Sequence, residues 1–345
     1  MFFWFLAFII FVILIFNVVG FVISVPGYKG EVSDHFNGRV FINPGKVKAK
    51  GLKDIIRWAA SRKRESWKEL SVISQGKPPD SIFNDGIKIT FVNHSTFLIQ
   101  MAGVNILTDP IWSQRTSPVR FAGPKRVRPP GILFEDLPAI DFVIISHNHY
   151  DHLDAPTMKK LILQHNPQVI TPLGVGQFIE SLGSKRVSDM DWWQTVEMLN
   201  GLKISCVPAQ HFSGRGTNDR DATLWCGYVI TLEGENIYFA GDTGYGGFFK
   251  EIRERYGDMK ISFIPIGAYL PRWFMSPIHI SPEEAVKVHR DVGSQTSIAM
   301  HFGTFPLADD GQFQPVAELK KAIENSGIDK ASFKIINEGA SIVLN

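Results

Sequence analysis

The run Ser146-His147-Asn148-His149-Tyr150-Asp151-His152-Leu153-Asp154 places four side chains of metal-ligand type at the spacing H-x-H-x-D-H. Imidazole and carboxylate together suit zinc better than manganese or iron, and the absence of thiolates argues against a purely structural zinc site. In an extended chain His147 and His149 point the same way, while Asp151 and His152 fall in the turn beyond and can face a second position. One such run supplies at most four ligands, so others must come from far along the chain. His211 after Lys203–Gln210, Asp242 after Ile237–Gly241 and His301 after Ser297–Met300 each cap a β-rich run, which is how a sheet delivers ligands to one edge. Two metals about 3.5–4 Å apart could hold a hydroxide between them, because bound water loses its proton near pH ~7 instead of ~15.7. Such a centre attacks a phosphodiester without serine, cysteine or a phosphate loop. Gly241 to Gly247 is glycine-rich but lacks the Lys-Ser/Thr ending of that loop, and reads as the turn that frees Asp242.

His94 and His279 are the histidines left near these motifs. His279, just before the helix start Pro282-Glu-Glu-Ala, has two readings: a donor to the substrate phosphate or leaving group, or a residue that orients a ligand or caps the helix. His94, in the turn between Phe91 and Phe97, reads as a residue behind a ligand and a candidate substrate contact. His35, His165 and His289 belong to no motif and read as surface residues.

The elements that would position these groups alternate. Strands are expected at 87–92, 96–101, 105–108, 142–146, 203–207, 224–232, 236–240, 261–266, 296–300 and 341–344. Helices are expected at 155–165, 174–181, 247–256, 282–290 and 315–326, several opened by a Pro or Ser start signal. Mixed strands and helices with no obvious internal linker suggest a layered α/β domain over residues 81–345. Cys206 and Cys226 are too few for a disulfide framework and read as reduced core residues.

Two segments precede that domain. Residues 1–25 carry no charged side chain, and as a helix they would extend roughly 37 Å against a ~30 Å hydrocarbon core, so a transmembrane anchor is expected. Residues 26–80 form a basic juxtamembrane segment in which Leu52, Ile55, Ile56, Ala59, Trp67 and Leu70 recur at helical spacing, suggesting an amphipathic helix. From Lys46 to Lys68 nine basic residues stand against Asp54 and Glu65. Basic residues on that side of the anchor predict a single-pass membrane protein with its catalytic domain in the cytoplasm. A formal net charge of +2 for the whole chain is too balanced for a surface built to grip nucleic acid, and no nucleic-acid partner is expected.

The sequence resembles the metallo-β-lactamase superfamily, and within it the N-acyl-phosphatidylethanolamine-hydrolysing phospholipase D family. The stretches that carry the resemblance are Ser146-His-Asn-His-Tyr-Asp-His-Leu-Asp154, Gln210-His-Phe-Ser-Gly-Arg215, Leu224-Trp-Cys-Gly-Tyr228, Tyr238-Phe-Ala-Gly-Asp-Thr-Gly-Tyr245, Ile266-Gly-Ala-Tyr269 with Pro271-Arg-Trp-Phe-Met275, and His301-Phe-Gly-Thr-Phe305. It runs from about Asn43 to the C-terminus. It implies a four-layer αβ/βα sandwich with two zincs at the edge between the sheets. His147, His149 and His211 would hold one, Asp151, His152 and His301 the other, and Asp242 would bridge them. Leu270 stands where family members often carry Glu, and Asn93-His94 where they carry Gly-His. Neither departure removes a ligand, and both bear on the substrate pocket.

The function implied is a zinc-dependent phosphodiesterase of phospholipase D type that hydrolyses N-acyl-phosphatidylethanolamine to N-acylethanolamine and phosphatidic acid. Asp151, Asp242 and His279 would carry the chemistry, and His94, Phe121, Trp273 and His279 would meet a membrane phospholipid at the bilayer. A homodimer is compatible with this reading. The alternatives are a lactonase or other ester hydrolase on the same binuclear site, since the metal pair also attacks carbonyls, and a membrane-anchored binding protein on an inactive hydrolase scaffold. Retention of all seven ligand types argues against the last.

Overall fold

Strands β1 (Ile87–Asn93), β2 (Thr96–Met101), β3 (Val104–Thr108) and β4 (Phe142–Ile144) send alternate side chains to opposite faces of one sheet. In the computed structural model, which describes residues 2–63, 65–70, 80–198 and 201–344, Ile89, Phe91, Phe97, Ile99, Ile106, Phe142 and Ile144 enter one apolar cluster. Val92, Leu98, Leu107, Val143 and Ile145 enter another, with Met158, Leu161 and Ile179 from helices. A sheet buried on both faces needs a layer on each side, and the second cluster is the outer one, packed under α3 (Ala155–His165) and α4 (Gly176–Ser181).

The first sheet is completed by β5 (Gln168–Pro172), β6 (Val187–Met190) and β14 (Ser341–Leu344), in the order β14-β1-β2-β3-β4-β5-β6. The second contains β7 (Thr195–Glu197), β8 (Lys203–Val207), β9 (Gly227–Leu232), β10 (Glu235–Phe239), β11 (Ile261–Pro265), β12 (Thr296–Met300) and β13 (Phe333–Lys334), in the order β13-β12-β11-β10-β9-β8-β7. The inner faces meet in the main core, where the Phe97 and Phe263 rings lie 4.4 Å apart and the Tyr228 hydroxyl donates to Ile145 O at 2.9 Å. Helices α5 (Phe248–Tyr256), α7 (Pro282–Asp291) and α8 (Gln314–Ser326) cover the second sheet, and the short α6 (Arg272–Met275) precedes α7. The α7 start follows from its sequence: Ser281 Oγ accepts from Glu284 N at 3.2 Å while Glu284 Oε2 accepts from Ser281 N at 2.8 Å, a reciprocal cap that contributes about 1 kcal/mol. The αβ/βα sandwich is therefore the architecture, and both cysteines are free and buried in it.

The transmembrane expectation is corrected. Residues Phe2–Ile23 do form a helix, α1, but its last turn belongs to the domain: Gly20 O accepts from Thr217 N at 3.2 Å, Ser24 Oγ from Asn218 N at 3.2 Å, and Asp219 Oδ2 from Val25 N at 2.9 Å. Among the described residues no helix is long and apolar enough to cross a membrane. The single-pass membrane localisation, with its cytoplasmic catalytic domain, falls with the span on which it rested. The docked groups are the main-chain and polar ones of Gly20, Ser24 and Val25, contacts that a count of apolar side chains does not register.

The basic segment also differs from expectation. Its helix, α2, covers only Leu52–Ser61, and Trp67 and Leu70 lie beyond it on a stretch laid along the domain, with Leu70 N donating to Val127 O at 2.8 Å. Arg64 and residues 71–79 lie outside the described residues.

Candidate metal centre

All seven predicted ligands lie at the ends of sheet strands and converge on the edge between the two sheets. His147, His149, Asp151 and His152 follow β4, His211 follows β8, Asp242 follows β10 and His301 follows β12. Gly241 turns the chain at φ +60°, and a Cβ there would meet Cys226 O at 2.7 Å and Ser146 Cβ at 2.8 Å, so glycine is needed to bring Asp242 inward. His94, Asp109 and His301 also have positive φ, at 49°, 34° and 59°, a conformation costing about 1–3 kcal/mol for each such residue. Surrounding bonds hold it: His301 N donates to His94 O at 2.8 Å and His94 N to Thr304 Oγ1 at 3.1 Å.

The ligand atoms fall into two groups. His147 Nε2 and His211 Nε2 lie 2.8 and 3.3 Å from His149 Nδ1. In the other group Asp151 Oδ2 lies 3.3 Å from His301 Nε2 and 3.4 Å from His152 Nε2. Asp242 Oδ2 stands between them, 3.2 Å from His152 Nε2, 3.1 Å from His301 Nε2 and 3.8 Å from His211 Nε2. His94 joins Asp151, His152 and His301, and His147 also lies within reach of His152 and Asp242, as His279 does of His211 and Asp242.

Hydrogen bonds behind the rings fix which nitrogen faces inward. His152 Nδ1 donates to Asp109 Oδ2 at 2.7 Å, and His211 Nδ1 to Ile278 O at 2.9 Å. Ser146 Oγ donates to the same Asp109 oxygen at 2.6 Å, leaving its own oxygen to accept from His147 Nδ1 at 2.9 Å. Each Nε2 is thereby turned inward, toward the other ligand atoms. His152 Nε2 and Asp242 Oδ1 are buried without a hydrogen-bond partner, a lack that a cation between them would satisfy. Asp109, Asp151 and Asp242 are buried too, and among the described residues none is paired with Lys or Arg. Burial alone would lower the pKa of His152, but Asp242, Asp151 and Asp109 outweigh it and raise it well above 6.5, so in the absence of a metal the carboxylates draw protons onto the ring. The donor set fits metal cations of the kind imidazole and carboxylate prefer.

Residues 104–302 match the β-lactamase superfamily domain. Over 330 residues, 88% of this chain and 92% of the relative, the sequence is 37% identical to the N-acyl-phosphatidylethanolamine-hydrolyzing phospholipase D 1 of Caenorhabditis elegans. The chain belongs to this phospholipase D family of the metallo-β-lactamase superfamily. It is a metal-dependent hydrolase. The mitochondrial N-acyl-phosphatidylethanolamine-hydrolyzing phospholipase D of Saccharomyces cerevisiae is 34% identical over 71% of this chain and 54% of its own length. Among solved structures, a metallo hydrolase from the archaeon Ignicoccus hospitalis superposes with a TM-score of 0.58 at 23% identity, covering 75% of this chain and 98% of its own, a likeness of fold alone.

Over the hydrolase's metal centre lies a cavity of about 280 Å³ with an apolar wall that includes Ile55, Trp58, Phe212, Phe274, Met275 and Leu307, and with Lys50 and Arg220 among its lining residues. The strap carrying α2 is tied down by Asp309, whose carboxylate accepts from Trp58 Nε1 and Arg62 Nε, each at 2.9 Å. His279 lines this cavity, its Nδ1 unpartnered and 3.9 Å from Asp242 Oδ2, and burial keeps the ring neutral. His94 offers a ring nitrogen to the Asp151, His152 and His301 group, with Nε2 3.1 Å from Asp151 Oδ2, and is not among the cavity's lining residues. Trp273 points under Arg57, and its neighbours Phe274 and Met275 take the wall instead. Phe121 is 84% exposed and is not brought to the cavity. His289 is buried, bonded to Ser297 Oγ at 2.8 Å, contrary to the surface reading.

Two residues escaped the sequence reading. Asp109 orients His152 and Ser146, and it follows β3 as the ligands follow their strands, so the rule that found the others applied to it as well. Trp58 forms cavity wall from a segment read as juxtamembrane, and nothing local in the sequence marks it.

Proposed function

We propose that this hydrolase is a zinc phosphodiesterase with two metals per chain, cleaving N-acyl-phosphatidylethanolamine to N-acylethanolamine and phosphatidic acid. The observation that carries the reading is the juxtaposition of a two-group centre sharing Asp242 with an apolar cavity lined by Lys50 and Arg220, which suits a lipid whose cleaved bond lies at an anionic phosphate. The C. elegans relative is named for the same activity. His147, His149 and His211 would hold one metal, Asp151, His152 and His301 the other, with Asp242 between. When bound, the pair supplies an activated water near neutral pH and offsets negative charge growing on the phosphoryl group.

The protein's own groups do the rest. Lys50 and Arg220 attract the phosphate, and the Arg220 guanidinium is set by stacking over Phe212, 4.9 Å from the ring centre and inside the ~6 Å reach of a cation–π contact. The neutral His279 ring can hydrogen-bond a phosphoryl oxygen without adding positive charge. Ile55, Trp58, Phe274 and Met275 exclude bulk water and accept hydrocarbon, which strengthens every charge interaction inside. Hydrolysis joins a water oxygen to phosphorus and breaks the bond to the ethanolamine oxygen, so the ester leaves as phosphatidic acid and the alcohol as N-acylethanolamine.

Mass analysis of products from the purified chain, given N-acyl-phosphatidylethanolamine and a simple lactone in parallel, tests the reading. It expects both lipid products, suppressed by a chelator and restored by zinc. An opened lactone beside intact phospholipid would replace it with the ester-hydrolase alternative.

A further inference from the structure

Asn43 stands 168 positions before His211 in sequence and satisfies both of its main-chain groups. Its Nδ2 donates to His211 O at 2.7 Å, and its Oδ1 accepts from His211 N at 2.8 Å and from Trp225 Nε1 at 2.9 Å. Only a carboxamide offers a donor and an acceptor side by side in this way, and Asn43 does so while 8% exposed. These two bonds fix where the His211 main chain lies. The bond from its Nδ1 to Ile278 O fixes the rotation of the ring, and together they leave Nε2 facing His149.

The arm that carries Asn43 is itself fastened to the segment that carries His211. Tyr28 N donates to Ala222 O and Phe41 N to Asp221 O, both at 2.8 Å. The Phe36 ring lies 5.0 Å from Tyr28 and 4.6 Å from Phe41, and Phe36 and Phe41 pack in one cluster with Ala209, Leu224 and Trp225. The superfamily match covers residues 104–302, so the arm lies wholly before it.

We propose that Asn43, at the end of the arm Val25–Asn43, is the positioning residue that sets His211 for the metal it would share with His147 and His149, the rest of the arm serving only to anchor it. This rests on the assignment of His211 as a ligand. Without Asn43 the His211 main chain loses both partners, the imidazole loses its fixed origin, and one of the two metals is held more weakly. Groups that orient a ligand from behind are commonly worth 10–100-fold in metal affinity.

The test is chelator competition and elemental analysis on the full chain, both of which read metal without reading turnover. Asn43→Leu, close in volume but with neither donor nor acceptor, should keep one metal at parental affinity and hold the other roughly 10–100-fold more weakly. If that variant does not fold, Asn43→Ser, too short to reach His211, takes its place. Phe36→Leu loosens the same arm without touching Asn43 and serves as the control. It should lower the thermal midpoint of the metal-free protein and leave both affinities unchanged. Parental affinity for both metals in the Asn43 variant, or an equal loss in Phe36→Leu, overturns the inference. His211→Ala separates the two levels: if it keeps both metals, the ligand assignment fails and the inference with it, whereas metal loss in His211→Ala with none in the Asn43 variant removes the inference alone.

Discussion

His147, His149 and His211 meet with no carboxylate of their own, whereas His152 and His301 meet across Asp151 and Asp242 with Asp109 behind them. The difference shows in the protons. Burial, and after it the neighbouring His211, pushes His149 down to about 3, and burial takes His211 to about 4. In the second group burial alone would lower His301, yet Asp242 and Asp151 push it up to about 9. One half of the centre offers ready, neutral lone pairs, and the other carries the negative charge that a metal must balance. Asp242 belongs to both.

Removing that shared group should therefore do most harm. Asp242→Asn is expected to leave the fold intact and reduce turnover by more than the roughly 100-fold upper range for groups that only orient ligands, with both metals affected. A variant that keeps near-normal activity would end the shared role. Asp109→Asn should act unequally: metal at the Asp151, His152 and His301 group weakens by roughly 10–100-fold, while the all-histidine group, which Asp109 reaches only through Ser146 and His147, weakens less, as seen by chelator competition. Equal weakening of both metals would erase the distinction between the halves. Trp58→Ala touches neither half. Steady-state kinetics on dispersed lipid should show KM raised by roughly tenfold, about 1.4 kcal/mol, with kcat little changed, because the lost contact is to substrate before and during reaction alike.

The smallest expected effect repeats the histidine–carboxylate chemistry away from the centre. His35 Nε2 lies 2.7 Å from Asp191 Oδ1, with Asp34 on its other side and its ring stacked on Trp192. Burial opposes the charged ring, but the contacts with Asp191 and Asp34 prevail and raise its pKa above 6.5. A raised pKa in the folded state means that the contact stabilises fully below pH about 6.5 and that this contribution is lost as pH rises through the raised value. His35→Gln should then lower the thermal midpoint at pH about 5.5 and have little effect near pH 9, by less than about 1 kcal/mol because the pair is only partly buried. A deficit that grows toward alkaline pH would contradict that sign.

The two halves were equally legible. Two of the three ligands of each group are written within six residues, His147 to His152, and the remaining ligands, His211, Asp242 and His301, announce themselves by following apolar β-rich runs. Strands β2, β8, β12 and β14 and helix α3 lie where the patterning put them, because each is bounded by clear polar or turn residues. β5, β6 and β7 were not anticipated. They are short, and β6 and β7 carry polar residues such as Ser188, Asp189 and Glu197 that break a clean alternation. Asn43 and Trp58 acquire meaning only through contacts with His211 and Asp309, hundreds of positions away or nearly so, which no local pattern encodes. Phe121 and Trp273 stand on aromatic loops that could reach lipid at an interface, but the neighbours Phe274 and Met275 show that which side of a loop faces a cavity is decided by tertiary packing.

Strand β14, the last element of the chain, pairs antiparallel with β1 from Ser341 opposite Thr90 to Leu344 opposite Ile87. It thereby shields the backbone amides and carbonyls of a long, apolar strand from other molecules. Clipping the chain before Ser341 would open that edge as a template on which a strand of another chain could add, so truncation at this terminus should show itself first as self-association and poor recovery of the protein, before any loss of metal.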